Sequence, residues 1–365
     1  MDAGKEWGGG QKQTLLLMRE LIKRGYPAKL IVQPDSPIHQ KASGASIPVW
    51  SLRMRGEMDI IAFLKLARKM KRDRCLLVHF HDAHSLALGS AAASWMKVPL
   101  RVISRKVAFP LKTNPLSHLK YTRDIDAVIA VSQEVKRVLA GGGIDPEKIR
   151  VIPDGVDYSS FENASSGGYL RKELSFAPDD FLVGIVAHLA DHKGHRYLIE
   201  ATRVLKARVP KVKVIVVGAG PLRMGLGRQA RESRVEEMVF FLGFRDDIPQ
   251  ILASLDLFVL SSTQEGMGSS ILEAMASRLP VVASKAGGIP ELVGHEETGL
   301  LVPPRDPKAL AEAIIRIYSD KELGRRLGQK GYELVHRKFS ARAMASKVID
   351  AYEQIAQKKD VKLLT

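Results

Sequence analysis

The sequence has almost no cysteine and no long apolar run. Its single cysteine, Cys75, cannot form an internal disulfide, and residues 1–15 lack the basic start and apolar core of a secretory signal. The longest apolar stretches, such as residues 183–187, are far shorter than the roughly 20 residues that a membrane-spanning helix needs. These absences argue against a disulfide-stabilised fold and an integral membrane protein, and they predict a reducing, cytoplasmic compartment.

Aromatic residues are also few, at 6% of the chain, although the formal net charge is +16. Residues 1–168 hold 26 basic against 16 acidic side chains, so the excess lies mainly in this half. Such a charge favours anionic partners, namely nucleic acid, acidic phospholipid or a phosphorylated acceptor, with a merely solvated basic surface as the alternative. The scarcity of stacking aromatics and the lack of RNP-like, helix-turn-helix or zinc-finger patterns argue against a nucleic-acid-binding protein.

Short apolar runs alternate with helix-period stretches along the whole chain. This pattern predicts repeated βα units, buried parallel strands and therefore an α/β protein with doubly wound sheets. The predicted strands are 28–32, 76–80, 100–104, 127–131, 181–187, 212–217, 239–242, 257–260 and 280–283. The predicted helices include 14–24, 61–71, 132–140, 197–206 and 270–276.

The length of 365 residues is more than one ordinary core accommodates, so two domains are expected. A polar, Gly/Ser-rich segment at 162–168 is the candidate linker. We therefore predict a first domain at 1–165 and a second at 166–339, followed by a C-terminal helical segment, 340–365, that packs back on the first domain.

Three consecutive glycines, Gly8 to Gly10, lead into a helix expected to begin near Gln13. Only seven mostly polar residues precede them, whereas a glycine loop in a doubly wound sheet normally follows a buried strand. We predict that a first strand is missing from this sequence. An in-frame upstream start that encodes an apolar segment would support this hypothesis, and a stop codon just upstream would reject it.

The strongest functional pattern is SSTQEGMGSSILEAMA at 261–276. It places Glu265 in a loop after a strand and Glu273 in the first turn of the next helix. Carboxylates there can accept hydrogen bonds from vicinal hydroxyls of a sugar or ribose, while Gly266 and Gly268 allow close approach of a ligand. The alternative is purely structural: Ser270 as N-cap and Glu273 form a capping box.

Glu265 and Glu273, with seven residues between them, resemble the two-glutamate motif of the retaining GT-B glycosyltransferases known as family 4, or glycosyl transferases group 1. The resemblance covers nearly the whole chain and is densest from about 150 to 315. It implies two Rossmann-like domains that face a cleft. The other matching segments are IPDGVD (152–157), HLADHKGHRYLIEA (188–201), VVGAGP (216–221), FLGFRDDIPQIL (241–252), PVVASKAGGIPELV (280–293) and TGLLVPPRDPKALAEAI (298–314).

The resemblance implies a role for each matching residue. Glu273 would hold the donor ribose, Glu265 the transferred sugar and Lys193 the diphosphate, with no metal and no cofactor. His188 stands where arginine is commoner, so the two-cation clamp on the diphosphate is altered. The remaining donor-binding candidates are Gly9, Gly10, Gly218, Gly266, Met267, Gly268 and Ser269.

In the N-terminal half, His79 and His81 should point to the same side of a strand, with Asp82 and His84 in the loop that follows. The residues alone allow a metal site or a hydrogen-bonded structural histidine, whereas the resemblance implies that His81 lines the sugar site and assists the acceptor side. Basic side chains after the next strand are candidates for binding a phosphorylated acceptor, namely Arg105, Lys106, Lys112 and Lys120. A denser cluster, either a solvated face or a surface for anionic membrane, comprises Arg68, Lys69, Lys71, Arg72 and Arg74.

The predicted reaction is transfer of a sugar from a nucleotide sugar to a glycan or lipid-linked acceptor, with retention of configuration. The basic N-terminal half and the segment RKVAFP at 105–110 resemble bacterial enzymes of lipopolysaccharide or cell-surface glycan synthesis. For the cytoplasmic protein predicted above, peripheral contact with the inner face of the membrane is a hypothesis. A sugar-nucleotide epimerase on the same fold is one alternative. A dinucleotide-dependent oxidoreductase is another, but VVGAGP lacks a full G-x-G-x-x-G.

Overall fold

The computed structural model describes residues 1–110, 121, 124–164 and 168–363 and divides the chain into two compact units. Unit 1 consists of Met1–Gly155 and the segment that begins at Ala341, and unit 2 consists of Val156–Ser340. The chain therefore first passes between the units at Gly155, earlier than the predicted linker. Lys112 and Lys120, two of the acceptor candidates, lie outside the described residues.

Unit 1 contains two parallel sheets. Their strands are rich in Val, Ile and Leu, as expected for strands buried on both faces. The first sheet has the order β1-β2 and the second β3-β4-β5-β6. These strands are β1 (Leu30–Val32), β2 (Val49–Ser51), β3 (Leu77–Phe80), β4 (Leu100–Arg105), β5 (Ala127–Ala130) and β6 (Ile149–Val151).

The first residues of the chain lie between these two sheets. Asp2 forms a parallel bridge with Val32 of β1. On the other side, the Met1 amino group donates to the His79 carbonyl at 2.6 Å, and the His81 N–H donates to the Met1 carbonyl at 3.0 Å. Residues 1–3 thus take the position where a doubly wound sheet has its first strand, and the idea of a longer natural strand stays a prediction.

The described helices of unit 1 pack around these sheets. They are α1 (Gly9–Lys23), α2 (Pro37–Gly44), α3 (Ile60–Arg72), α4 (Ala83–Trp95), α5 (Gln133–Gly141) and, numbered here by its place at the end of the chain, α14 (Ala341–Lys358). Helix α1 begins at Gly9, not near Gln13 as predicted, so the glycines form its first turn. Its buried Leu15 and Met18 share one core with Met344 and Tyr352 of α14.

Unit 2 has one six-stranded parallel sheet with the order β12-β11-β10-β7-β8-β9. The order reverses at β7, which pairs with both β8 and β10. The strands are β7 (Phe181–Val186), β8 (Val212–Val217), β9 (Val239–Gly243), β10 (Leu257–Leu260), β11 (Val281–Ser284) and β12 (Leu300–Val302).

The described helices of unit 2 mostly connect successive strands and cover the sheet. They are α6 (Ser159–Glu162), α7 (Tyr169–Glu173), α8 (His195–Arg208), α9 (Arg223–Glu232), α10 (Ile248–Ala253), α11 (Ser269–Ala276), α12 (Pro307–Ser319) and α13 (Lys321–Lys338). In neither unit does a described helix have the length and apolar character needed to cross a bilayer.

Candidate functional site

The loops that follow β7, β8, β10 and β11 are joined by hydrogen bonds at one edge of the unit 2 sheet. These strands are neighbours and parallel, so their carboxyl ends meet at the switch point where such sheets bind ligands. The Thr263 N–H, after β10, donates to the His192 carbonyl, after β7, at 2.8 Å. The Leu189 N–H donates to the Ala219 carbonyl, after β8, at 2.9 Å. These bonds hold the loops in fixed positions.

Two glycines allow this close packing. Gly194 has φ +68° and lies against the Ser261 backbone, whereas Gly287 has φ +55° and lies against the Glu265 backbone. A Cβ at either position would overlap a carbonyl oxygen, and both residues are in the left-handed region that favours glycine. The loop that carries Glu265 is therefore supported from both neighbouring loops.

Lys193 and Glu265 form an ion pair at this edge. The Lys193 Nζ lies 2.6 Å from Oε1 of Glu265, and the Ser262 hydroxyl donates to the same oxygen at 2.8 Å. The Glu265 side chain is 8% exposed and that of Lys193 is 22% exposed. Among the described residues, Oε2 of Glu265 accepts no hydrogen bond. One carboxylate oxygen is thus fixed and the other is available to a ligand hydroxyl.

Glu273 lies on α11, the helix that follows this loop, and is 9% exposed. The helix begins at Ser269, and its N-cap is Gly268 in the left-handed conformation with φ +89°. The alternative of a capping box is wrong, because Ser270 lies inside the helix and does not cap it. The buried Met267 and the half-buried Ser269 flank this cap. Helix α11 therefore begins four residues after Glu265, and the first N–H groups of a helix point away from its own carbonyl groups and toward a ligand at its start.

The segment that joins β7 to α8 carries four basic side chains, namely His188, His192, Lys193 and His195. His188 is exposed and His192 is half-buried, while His195, the first residue of α8, is 2% exposed. Burial lowers the pKa of His192, and it lowers that of His195 to about 4. His192 and His195 are therefore neutral near pH 7, which leaves Lys193 as the permanent cation of this segment.

The VVGAGP segment forms the end of β8 and the turn after it. Gly218 has φ +139° and Gly220 has φ +156°, and a Cβ on either would overlap the backbone of the β7 loop. The Gly218 N–H donates to the Gly243 carbonyl at 2.8 Å. This segment positions the loop that carries His188.

In unit 1, the candidates lie around the first turn of α1 and the ends of β3 and β4. Gly9 and Gly10 are the first two residues of α1, so they belong to a helix and not to a separate loop. A Cβ on Gly10 would come within 3.9 Å of the Lys106 side chain. Lys106 Nζ lies 2.6 Å from Oδ1 of the buried Asp154.

Arg105 and Gln13 hold backbone segments beside these residues. The Arg105 guanidinium donates to the Phe109 carbonyl at 2.8 Å and to the Tyr121 hydroxyl at 3.2 Å. The Gln13 side chain exchanges two hydrogen bonds with the Gly155 backbone, at 2.8 and 2.9 Å. The two acceptor-side cations within the described residues, Arg105 and Lys106, thus make contacts within unit 1.

His79 and His81 point to the same side, as predicted, with ring centroids 4.1 Å apart. Burial lowers the pKa of both rings well below the ordinary value. Asp82 caps α4 by accepting from the N–H groups of His84 and Ser85, each at 2.9 Å. Among the described residues, no group of three His, Cys, Asp or Glu could hold a metal ion.

Several residues near these sites were not singled out from the sequence. Ser262 precedes Glu265 by three residues, and the SS pair after a strand was a visible signal. Asp154 stands in IPDGVD where asparagine is commoner in the family, but its pairing with Lys106, which is 48 residues away, was not predicted. Tyr352 is 273 residues from His79, which it contacts, and nothing local in the sequence indicates that contact.

Comparisons with known proteins agree on one family. Residues 169–334 match the model of glycosyl transferases group 1, and residues 7–160 match that of glycosyltransferase family 4. The chain is 30% identical to N-acetyl-alpha-D-glucosaminyl L-malate synthase of Bacillus anthracis, over 92% of this chain and 87% of that protein. It is 28% identical to the lipopolysaccharide core biosynthesis glycosyltransferase LpsE of Rhizobium meliloti, over 98% and 97% of the two chains.

The fold agrees with the same conclusion. The crystal structure of Anabaena HepE in complex with UDP and glucose superimposes with a TM-score of 0.87, at 24% identity, over 97% of this chain and 98% of that one. Two Rossmann-like units with parallel sheets are the architecture that the sequence predicts, and this prediction is confirmed.

Proposed function

This chain belongs to the group 1 glycosyl transferases, and we propose that it moves a hexose from a nucleotide-diphosphate sugar to a bacterial cell-surface glycan or its lipid-linked precursor, with retention of configuration. The observation that carries the proposal is the Lys193–Glu265 pair at the carboxyl edge of the unit 2 sheet. Glu273 follows on the next helix. The Lys193 cation suits a diphosphate, and the available oxygen of the Glu265 carboxylate suits a sugar hydroxyl. The Glu273 carboxylate suits the hydroxyls of a ribose.

Each donor residue has a distinct part in the proposal. Lys193 stabilises the charge that develops on the leaving nucleoside diphosphate, and the N–H groups at the start of α11 assist. Oε2 of Glu265 accepts from a hydroxyl of the transferred sugar, while Glu273 accepts from the ribose hydroxyls. Gly218, Gly266, Met267, Gly268 and Ser269 shape the surface against which the donor lies, with His188 donating to a phosphate oxygen.

The chemical step needs no nucleophile from the protein in this proposal. The acceptor hydroxyl attacks the anomeric carbon on the face from which the nucleotide departs, and a donor phosphate oxygen takes its proton. The first-turn N–H groups of Gly9 and Gly10 bind the donor phosphate, and His81 lines the sugar and assists the acceptor side. Arg105 and Lys106 stand on the acceptor side.

A thermal-shift panel tests the donor site. UDP, GDP, ADP and CMP, and the sugar conjugates UDP-glucose, UDP-galactose, UDP-N-acetylglucosamine, GDP-mannose and ADP-glucose, are compared on the wild type, Glu273→Gln and the exposed control Glu237→Gln. A ligand at 100 times its Kd stabilises the folded state by about 2.7 kcal/mol. We expect one base series to raise the midpoint of the wild type and the control but not of Glu273→Gln. A series that stabilises all three proteins equally would show that Glu273 does not bind the ribose.

Glu265→Gln gives a different expected result. Glu265 and the donor diphosphate compete for Lys193, so neutralising Glu265 should strengthen the binding of the free nucleoside diphosphate. The same change removes an acceptor of the sugar hydroxyl, so the extra stabilisation that the sugar conjugate gives should fall. If free diphosphate binds more weakly to Glu265→Gln than to the wild type, the proposed competition is wrong.

We also propose that unit 1 contacts an anionic membrane through a patch on α3 and α4. Four large apolar side chains are exposed: Met58 by 92%, Ile60 by 72%, Ile61 by 65% and Trp95 by 56%. Trp95 stacks on Phe63 with ring centroids 5.1 Å apart. Exposed apolar side chains with tryptophan suit the boundary between headgroups and acyl chains.

Basic residues extend this patch along the same face of α3. Ile61 is followed at helical spacing by exposed Lys65, Arg68 and Arg72. Lys69, which belongs to the cluster seen in the sequence, is engaged with Asp73, and Arg72 also lies 3.5 Å from the same carboxylate. Each Lys or Arg near an anionic surface contributes about 1 kcal/mol of attraction.

Vesicle co-sedimentation tests the patch. We expect binding to vesicles that contain phosphatidylglycerol and little binding to pure phosphatidylcholine. Ile60→Ser with Ile61→Ser, and separately Arg68→Glu, should weaken it, whereas the exposed unit 2 control Lys330→Glu should not. The nucleotide response should stay intact in every variant. A wild type that fails to bind anionic vesicles at low salt would refute membrane contact and leave the transferase proposal unaffected.

A further inference from the structure

Tyr352, His79 and Ser104 form a buried chain of hydrogen bonds in unit 1 that the proposed reaction does not use. Nδ1 of His79 lies 2.6 Å from the Tyr352 hydroxyl, and Nε2 lies 2.8 Å from the Ser104 hydroxyl. The three residues are 6% to 9% exposed. These two hydrogen bonds thus connect α14, β3 and the end of β4.

The direction of these bonds follows from the tyrosine. Among the described residues, the Tyr352 hydroxyl has only His79 as a hydrogen-bond partner, and burial raises the Tyr352 pKa, so the hydroxyl keeps its proton. That proton is satisfied only if Tyr352 donates to Nδ1 of His79. A neutral imidazole has one donor and one acceptor nitrogen, so Nε2 of His79 carries the proton and donates to Ser104. Both nitrogens of His79 are therefore used and its ring is fixed.

The His81 ring lies against this fixed ring. Their centroids are 4.1 Å apart with an interplanar angle of 35°. Among the described residues, the buried Nδ1 of His81 has no hydrogen-bond partner. The orientation of His81 is thus not set by a hydrogen bond from its own ring on the protein side.

We infer that His79 is a positioning residue that fixes the His81 ring for the transfer reaction, and that Tyr352 of the C-terminal helix fixes His79. The inference rests on the proposed role of His81 at the sugar site. It assigns α14 a part in the reaction besides covering the unit 1 core.

Each of two variants removes one terminal hydroxyl of this series of hydrogen bonds, with little change in side-chain volume. Tyr352→Phe removes the donor to Nδ1, and Ser104→Ala removes the acceptor of Nε2. Tyr26→Phe is the matched control, because the Tyr26 hydroxyl bonds Glu353 on the same helix at 3.3 Å and does not contact His79. If one variant fails to fold, the other still tests the inference.

Nitrogen-15 NMR of histidine-labelled protein gives the direct readout. In the wild type we expect His79 as the Nε2–H form. In Tyr352→Phe and Ser104→Ala, the His81 titration midpoint should rise toward the ordinary histidine value, since a ring released from its neighbour gains contact with water. Tyr26→Phe should leave it unchanged. An unchanged His81 titration in both folded variants overturns the inference, whether or not the protein turns over any nucleotide sugar.

Kinetics supply the second readout. Release of nucleoside diphosphate from UDP-glucose and GDP-mannose is followed in the wild type and the variants. We expect kcat to fall by about tenfold to a hundredfold with little change in the donor KM, because positioning affects the reacting geometry more than donor binding. A raised KM with unchanged kcat would contradict a positioning role. If even the wild type turns over neither donor, the NMR result alone decides between positioning and a purely structural chain.

Discussion

His195 makes unit 2 sensitive to acid, and replacing it should remove part of that sensitivity. It is 2% exposed at the first position of α8, and neither ring nitrogen has a hydrogen-bond partner among the described residues. Burial, followed by the charges of Lys193, His188 and His192, lowers the His195 pKa from 6.5 to about 4. The perturbation that we propose is His195→Leu, which keeps a side chain of similar size and removes the titratable ring.

The sign follows from comparing the folded and unfolded states. The pKa is depressed on folding, so the folded protein favours the neutral ring. The associated stability is fully present above pH 6.5 and is lost as the pH falls toward 4. The difference between 6.5 and about 4 corresponds to about 3 kcal/mol, of which about 2 kcal/mol is already lost at pH 5.

Thermal unfolding of the wild type and of His195→Leu between pH 8 and pH 4.5 measures this pH-dependent contribution of His195 to stability. Relative to the wild type, the variant should gain about 2 kcal/mol between pH 8 and pH 5, or about 4–8 °C in the unit 2 transition. At pH 8 it should be at least as stable, because an unpaired buried polar group costs about 1–3 kcal/mol. The exposed His84→Leu serves as the control. Parallel curves for wild type and His195→Leu would refute the reasoning.

Two further substitutions test the packing that positions the sites. Gly287→Ala should destabilise unit 2 by about 3 kcal/mol or more, because its Cβ would overlap the Glu265 carbonyl. Gly243 also has a positive φ but faces open space, so Gly243→Ala should cost about 1 kcal/mol. Equal decreases of the melting temperature in the two variants would contradict this. Gln13→Ala should lower the free energy of unfolding of unit 1 by about 2–4 kcal/mol, because it leaves the buried N–H and C=O of Gly155 unpaired. An unchanged midpoint of denaturant unfolding would show that water replaces both hydrogen bonds.

Most of the fold could be predicted from the sequence because its strands are apolar runs buried on both faces. Each of the nine predicted runs overlaps an observed strand. The strands at 49–51, 149–151 and 300–302 were missed, because three residues are too few to show a pattern against their surroundings. The start of α1 was placed too late, since glycine is a poor helix former and the three glycines indicated a loop.

The candidate site could be predicted in part. Glu265 and Glu273 were singled out from the residue pattern and Lys193 through the resemblance, and all three lie at one edge of the unit 2 sheet. The 2.6 Å contact between Lys193 and Glu265 could not be predicted, because it depends on β7 and β10 being neighbours although β8 and β9 lie between them in the sequence. The contact between His79 and Tyr352 depends in the same way on the return of the last helix to unit 1.

The distribution of charge explains why the net charge alone does not indicate the kind of partner. A value of +16 first suggests a surface that attracts any polyanion. At the sites, however, Lys193 is paired with Glu265 and Lys106 with Asp154, and the histidines beside Lys193 have lowered pKa values. An anion therefore gains little from bulk attraction there. In the proposed function, the donor instead offers a diphosphate that competes with Glu265 for Lys193 and a sugar hydroxyl that then binds Glu265.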